Sequence, residues 1–460
     1  MTSAESSRPF PRGMALLVAG ALFMEILDAT IITPAIPLIA DSFDAAAVDV
    51  NVAISAYLVT VAVLIPASGW MADRFGVRRV FVTAIVVFTV ASIGCAASVS
   101  LPMLVVARIL QGIGGAMMVP VGRLAVLRNS GKSDLVRAIA LLTWPALAAP
   151  VLAVALGGAI VTVGSWRWIF LINIPIGIAG ILLALKLIKG SPAPARRPLD
   201  WRGLLLIGIG IAATLITLEQ IRPPHIDWLP VIIGAAIAGL LLGSAVIHLM
   251  RSDRPLMQLR VLRVQTLRIT VSAGSLYRAL VTAVPFLLAL QLQLEFGWTP
   301  LAAGLLVAVL FLGNLTIKPA TTPLMRRFGI KRVLLVNGVA SIGCFVLLAA
   351  LRPDMPVVLM AVVLYLSGAF RSIGFTAYNS LAFADVHGDE LTHANTLNAS
   401  VQELASGIGI AVAALLVSLL VSYPLTYLVL GALMAVTIIE TLRLPGQAGS
   451  HVSGTATQRM

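Results

Sequence analysis

Three ionisable side chains stand inside apolar runs that leave them little water. Glu25 and Asp28 interrupt the run 14–39, and Arg108 interrupts the run 101–123. A charge in hydrocarbon is costly and is kept where it does something. Glu25 and Asp28 are three residues apart and so share one helix face. Rising 1.5 Å per residue from Met14, Asp28 lies about 21 Å in, while Arg108 lies about 10 Å below the opposite surface. The two depths agree, so the pair is expected to meet. A carboxylate and a guanidinium in a low dielectric make a proton switch, because protonating the acid releases the cation. A static pair locking two helices is the other reading. Further along, Arg278 sits mid-helix, Lys318 and Arg371 lie nearer the inner surface, and Glu403 lies level with Arg371. With Gln111 they are expected to line a substrate cavity, although Lys318 is equally able to snorkel. Asn173, Asn314, Tyr378 and Asn379 suit either a pathway or hydrogen bonds between helices.

These side chains need helices across a bilayer to hold them. The 460 residues are 59% hydrophobic and 11% charged, with mean hydropathy +1.01. That composition excludes a soluble domain and specifies an all-α polytopic membrane protein. Fourteen segments approach the ~20 apolar residues a spanning helix needs. The expected organisation is a tail (1–13), a six-helix bundle (14–188) and a linker (189–201), then two additional helices (202–249). A second linker (250–267), a second six-helix bundle (268–442) and a tail (443–460) follow. Assigned inner loops and tails hold 25 of the 32 Lys and Arg, and outer loops hold Arg167, Arg222 and Arg352. The positive-inside rule therefore places both termini in the cytoplasm. It also accounts for the net charge of +13 without a nucleic-acid partner. Aromatics in 165–170, Trp298 and Tyr423 are expected at the outer interface.

The chain repeats itself. The stretch 72–80 (ADRFGVRRV) matches 325–333 (MRRFGIKRV) at five of nine positions, and ASIGC recurs at 91–95 and 340–344. Repeats of this kind are a transporter signature. The first stretch reads as a short surface loop in which Gly69 permits close approach, Asp73 bridges to the other half and Gly76 turns tightly. Arg74, Arg78 and Arg79 supply its positive charge. Its counterpart has Arg327 and Gly329, with Arg326 in place of the acid. The two are expected to act as conformational latches.

Phosphate, zinc and nucleophile motifs are not met. GKS at 131–133 would need Gly at 126 to end a phosphate-binding loop, and Val126 stands there. Cys95 and Cys344 lie in apolar runs outside any CxxC spacing. No cofactor, metal site or enzymatic activity is expected.

The motif at 69–79, LDATIITPAIP (27–37), RILQGIGGAMMVPVGR (108–123) and SWRWIFLINIPIG (165–177) together resemble the fourteen-helix drug:proton antiporters of the major facilitator superfamily. The resemblance implies a fold of two six-helix bundles with two extra central helices. It carries Asp28, Arg108 and Gln111 onto family positions and implies a gate latch at 69–79. One departure concerns helix five, where paired Gly-Pro steps bend the family's helix. Pro145, Pro150, Gly157 and Gly158 remain here, but Ala149 replaces the Gly before Pro150 and Ala153-Val154 occupies the second step.

The leading expectation is a monomeric proton-coupled exporter of small amphipathic or cationic compounds, working by alternating access in a bacterial cytoplasmic membrane. Its partners are a small-molecule substrate, protons and the lipid bilayer. An exporter of an anionic metabolite or anionic metal chelate is the alternative, since basic residues outnumber acids among the buried candidates. A non-transporting sensor with a transporter fold ranks third.

Overall fold

Twenty consecutive residues with no proline form the first helix, and the same logic repeats along the chain. The computed structural model describes residues 12–32, 35–45, 47–130, 134–188, 198–221, 226–446 and 448. The first set of helices comprises α1 (Arg12–Ile31), α2 (Ile36–Ser42), α3 (Ala47–Leu64), α4 (Ser68–Phe75), α5 (Val77–Ala96), α6 (Leu101–Asn129), α7 (Leu135–Val163), α8 (Trp168–Leu171) and α9 (Asn173–Leu187). A central pair follows, α10 (Trp201–Glu219) and α11 (Trp228–Arg251). The second set is α12 (Gln265–Ile269), α13 (Ser275–Leu290), α14 (Pro300–Thr316), α15 (Lys318–Phe328), α16 (Ile330–Ala349), α17 (Val357–Ala384), α18 (Leu391–Leu420) and α19 (Tyr423–Leu442). Among the described residues twelve helical spans are long and apolar enough to cross a membrane, and the bent pair α14–α15 makes a thirteenth. The fifth expected segment, 138–161, falls on the 29-residue helix α7. The expected tails and the linker 189–201 lie largely outside the described residues.

Polar side chains start several of these helices where the apolar run begins. Ser100 accepts from the amide of Met103, Asp200 from Gly203, Thr299 from Ala302 and Ser422 from Leu425. Each satisfies an amide that the helix itself leaves unpaired, which matters most near a bilayer.

Packing repeats between the sets. In the first, α1 pairs with α7, α3 with α6, and α5 with both α6 and α9. In the second, α13 pairs with α18, α14 with α17, and α16 with both α17 and α19. The pairing thus follows the sequence repeat. Separate apolar cores accompany it, one built on Phe81, Phe88 and Met118, another on Leu287, Leu364 and Phe383. The central helices pack mainly on each other, and α10 also touches α3 and α18.

The charged stretch 69–79 corrects the loop expectation. Residues 69–75 are the helix α4, residues 77–79 open α5, and only Gly76 separates them. At φ 85° Gly76 makes the whole turn in one residue, and Gly329 does the same at φ 79°. Side chains with a Cβ resist that conformation, so glycine is needed at both. The charge cluster therefore rides on helix ends that stay hydrogen-bonded: the Gly76 amide donates to Ala72 and the Val80 amide to Gly76. Of the aromatics in 165–170, Trp166 is buried and donates to Ser42 Oγ at 2.9 Å, whereas Trp168 is exposed.

Close helix approach is tightest where α14 meets α17. A Cβ on Gly368 would collide with the carbonyl of Leu310, while one on lipid-facing Gly343 would meet nothing within 4 Å. Gly368→Ala should therefore cost about 1–3 kcal/mol. Gly343→Ala should be neutral or gain up to about 1 kcal/mol from helix propensity. Thermal unfolding of the purified protein in detergent checks this; equal melting temperatures would contradict the close packing of α14 on α17.

Candidate functional site

Glycines in α6 set the geometry around Arg108. A Cβ at Gly112 would meet Thr60 Cβ at 2.8 Å, and one at Gly114 would meet the backbone of Phe88 at 2.7 Å. Without them α3 and α5 could not lie against α6. That approach lays the Tyr57 ring 4.2 Å from the Arg108 guanidinium carbon and brings Ser92 in from α5. Phe170 covers the guanidinium at 5.8 Å.

Within this shell the structure brings Asp28, Arg108 and Gln111 together. Arg108 Nη1 donates to Asp28 Oδ2 at 2.5 Å and to Gln111 Oε1 at 2.6 Å. Gln111 Nε2 donates to Asp28 Oδ1 and to Ser92 Oγ, both at 2.8 Å. Asn173 Nδ2 completes the carboxylate's shell at 2.7 Å from Oδ1. Asp28, Arg108, Gln111 and Asn173 are each fully buried. Such a pair survives desolvation only because its hydrogen bonds are nearly complete. Yet Arg108 Nε and Nη2 and Asn173 Oδ1 stay buried without a hydrogen-bond partner. The arrangement can hold a charge pair in place and can exchange it for another partner.

Glu25 lies one turn below, partly exposed, and its Oε2 has no partner. The nearby hydroxyl of Tyr57 is likewise unpartnered, and both approach Gly115. Glu25 is within electrostatic reach of Asp28, Arg123 and Glu403, and Arg278 within reach of Arg123 and Glu403. Acids and cations from both sets therefore face one region. Arg123, at the end of the motif 108–123, lies on α6 beside this region.

In the second set, Arg278 Nε donates to Ser406 at 2.8 Å and Arg371 Nη1 to the carbonyl of Val281 at 3.3 Å. Both guanidiniums lie against Phe375, at 5.3 and 5.2 Å. Among the described residues neither has a carboxylate in ion-pair range. Phe375 carried no signal in the sequence beyond helix spacing. Gln402 links Arg278 to Asn379 and Asn398. Lys318 does not snorkel: it is 4% exposed and donates to Thr376 Oγ1 at 2.6 Å.

In the stretch 69–79, Asp73, expected to bridge to the other half, accepts a hydrogen bond from Thr392 of the second set and also forms an ion pair with Arg128 of its own set, at 2.8 Å. Thr392 on α18 reaches both partners, receiving a hydrogen bond from Arg128 and donating to Asp73 at 3.4 Å. The pair is about 30% exposed, so its Coulombic part is worth little and the geometry matters more. Gly69 abuts the Thr392 and Thr396 side chains, and Asn395 donates to the Pro120 carbonyl at 3.0 Å. These threonines and Asn395 lie outside the motifs that the sequence offers. Arg78 donates to the Leu185 carbonyl of α9 at 2.8 Å, Arg79 is exposed, and Arg74 lines a small cleft beside His393. In the second latch Arg327 stacks on Phe328.

Helix α7 passes through Pro145, Pro150, Gly157 and Gly158 as one helix from Leu135 to Val163. The side-chain surroundings of Pro145 and Gly158 lie outside the described residues.

Removing one member of the buried pair strands the other. Arg108→Gln should cost about 3–5 kcal/mol, and the double variant Asp28→Asn/Arg108→Gln should cost less than the sum of the single changes Asp28→Asn and Arg108→Gln. A double-mutant cycle by thermal unfolding in detergent measures this, and additive losses would rule out a coupled pair.

The chain matches the family model described as Major Facilitator Superfamily over residues 18–278 and 270–456. It is 35% identical over 452 residues to "Putative multidrug resistance protein MdtD" of Klebsiella pneumoniae (strain 342), covering 95% of each chain. With the protein of the same name from Cronobacter sakazakii it shares 37% identity over 405 residues, covering 87% of this chain and 85% of that one. Among solved structures it is similar to the human organic anion transporter MFSD10 (TETRAN), with a TM-score of 0.67 and 17% identity over 94% of this chain and 100% of that one. It is similar also to the proton:xylose symporter XylE, with a TM-score of 0.68 and 14% identity over 97% of this chain and 99% of that one. Those two likenesses concern the fold alone. The fold, its repeated helix pairing and these matches agree: the chain is a multi-pass membrane protein and belongs to the major facilitator superfamily of transporters.

Proposed function

We propose that this transporter exports small amphipathic or cationic compounds in exchange for protons, by alternating access. One observation carries the reading: a fully buried carboxylate–guanidinium pair, Asp28 with Arg108, beside a second carboxylate, Glu25, whose Oε2 has no partner. A proton on Asp28 would remove the charge that holds Arg108, and the spare donors Nε and Nη2 would then govern where the guanidinium goes. Glu25 supplies negative potential for a cation. The relatives in Klebsiella and Cronobacter carry multidrug resistance in their names, which supports the substrate class.

Alternating access is supported by where the two sets touch. Hydrogen bonds between them join α18 to α4 and α6 through Thr392 and Asn395, at the end bearing Gly76 and Gly329. On the charge distribution this end is cytoplasmic, so the arrangement corresponds to a closed inner gate in a bacterial cytoplasmic membrane. Opening it would require Asp73 and Arg128 to release Thr392.

A second reading has its own observation. Arg278 and Arg371 flank Phe375 without an ion-paired carboxylate among the described residues, an environment suited to an aromatic or chelated anion. Under this reading the cargo is an anionic metabolite or metal chelate.

Purified protein in liposomes under an imposed pH gradient separates the two. The expected result is gradient-driven movement of a cationic dye that Asp28→Asn abolishes. Gradient-driven movement of a carboxylate anion instead, lost in Arg278→Gln, would favour the second reading. If Asp28→Asn left coupled transport intact, the proton switch would be wrong. Orientation is checked separately: a C-terminal fluorescent fusion should glow and a C-terminal alkaline phosphatase fusion should be inactive.

A further inference from the structure

An apolar groove runs along the outer face of the first set, between α1 and α9. It has a volume of about 640 Å³ and is lined by Leu16, Leu17, Met24, Ile176, Leu183 and Leu187 among others. Leu16, Leu183 and Leu187 are exposed although large and apolar. The groove spans Gly13 to Met24 on α1 and Pro175 to Leu187 on the antiparallel α9. At 1.5 Å per residue that is about 17 Å, close to half of a ~30 Å hydrocarbon core. Its floor opens at Gly20, where a Cβ would meet nothing within 4 Å.

Exposed cations mark one mouth. Arg12 and Lys186 each adjoin a lining residue, Gly13 and Leu187, and both are exposed. Neither forms an ion pair among the described residues. Arg78 is nearby, donating to the Leu185 carbonyl. The lining residues at the far end, Met24 and Pro175, are apolar, and the acid Glu25 follows Met24 on α1. A slot about one leaflet deep, with an apolar lining and cations beside its surface end, complements a lipid with an anionic headgroup.

We propose that this groove binds an anionic phospholipid, one acyl chain lying between α1 and α9 and the phosphate held by Arg12 and Lys186. The assignment to the cytoplasmic leaflet rests on the orientation proposed above, but binding itself does not. Attraction to the anionic headgroup is worth roughly a factor of five in affinity per surface cation. The chain contributes through apolar contact that is independent of headgroup.

Native mass spectrometry of the full chain, released from detergent with phosphatidylglycerol or phosphatidylcholine of the same chains, tests it. Wild type should retain phosphatidylglycerol in preference. Arg12→Gln/Lys186→Gln should lower that preference by roughly 25-fold while phosphatidylcholine retention stays unchanged. Gly20→Leu, whose Cβ meets nothing within 4 Å and whose side chain takes up space in the groove, should reduce retention of both lipids. Equal retention of the two lipids by wild type, or full retention by Gly20→Leu, would overturn the proposal. So would dimers that Gly20→Leu dissociates, since the groove would then seat a second copy of the chain. Stabilisation of the wild type by glycerol phosphate alone would overturn the chain's part. Failure of the orientation reading would show in the fusions and leave these results untouched.

Discussion

Burying a charge pair away from water fixes much of the first half. Asp28 and Arg108 sit on different helices, and the cost of their desolvation is offset by hydrogen bonds that satisfy both carboxylate oxygens. Gln111 must reach both, Asn173 must come from α9 and Ser92 from α5. Five side chains on four helices therefore have to arrive within hydrogen-bond distance together. The glycines of α6 follow from that demand, since α3 and α5 can close on Arg108 only where no Cβ intervenes. Tyr57 and Phe170 then exclude water from the guanidinium. A region so constrained has few intermediate arrangements, which is the property a switch needs.

The second half shows what the same scaffold becomes when the pair is absent. By the ASIGC repeat, Ser341 and Cys344 stand where Ser92 and Cys95 stand. Ser92 faces Asp28's network, whereas Ser341 and Cys344 line a small cavity with Val281, Val284 and Phe345. The helix pairings match while the chemistry differs. Arg371 borders that cavity and finds a backbone carbonyl instead of a carboxylate. A duplicated scaffold with the buried ion pair in its first half leaves the second half's cations to face the shared region.

Much of this was legible in the sequence. Hydropathy gave the helices, and simple rise per residue set Asp28 level with Arg108. Depth works because a helix has one rise and a bilayer one thickness. Direction around the helix axis is harder. Distance from the helix end puts Lys318 near the inner surface, yet it is buried against Thr376. Local partners were hidden for the same reason: Thr392 and Asn395 are ordinary helix residues until α18 meets α4 and α6. The latch was seen as a loop because its charge was clear. Its helicity was not, since one glycine at φ 85° does the turning.

The asymmetry of the latches follows from the same comparison. Gly76 and Gly329 turn alike, so both motifs place a cluster of basic residues at one surface of the bundle. Only the first carries an acid, Asp73, and it is held by Arg128 from within its own set. An ion pair closed inside one set cannot by itself join the two. The joining falls to Thr392, a neutral hydroxyl that donates to Asp73 and accepts from Arg128. A neutral bridge suits a gate, because breaking it exposes no unpaired charge: Asp73 and Arg128 keep each other when Thr392 leaves. The charged residues position the contact, and the threonine makes it.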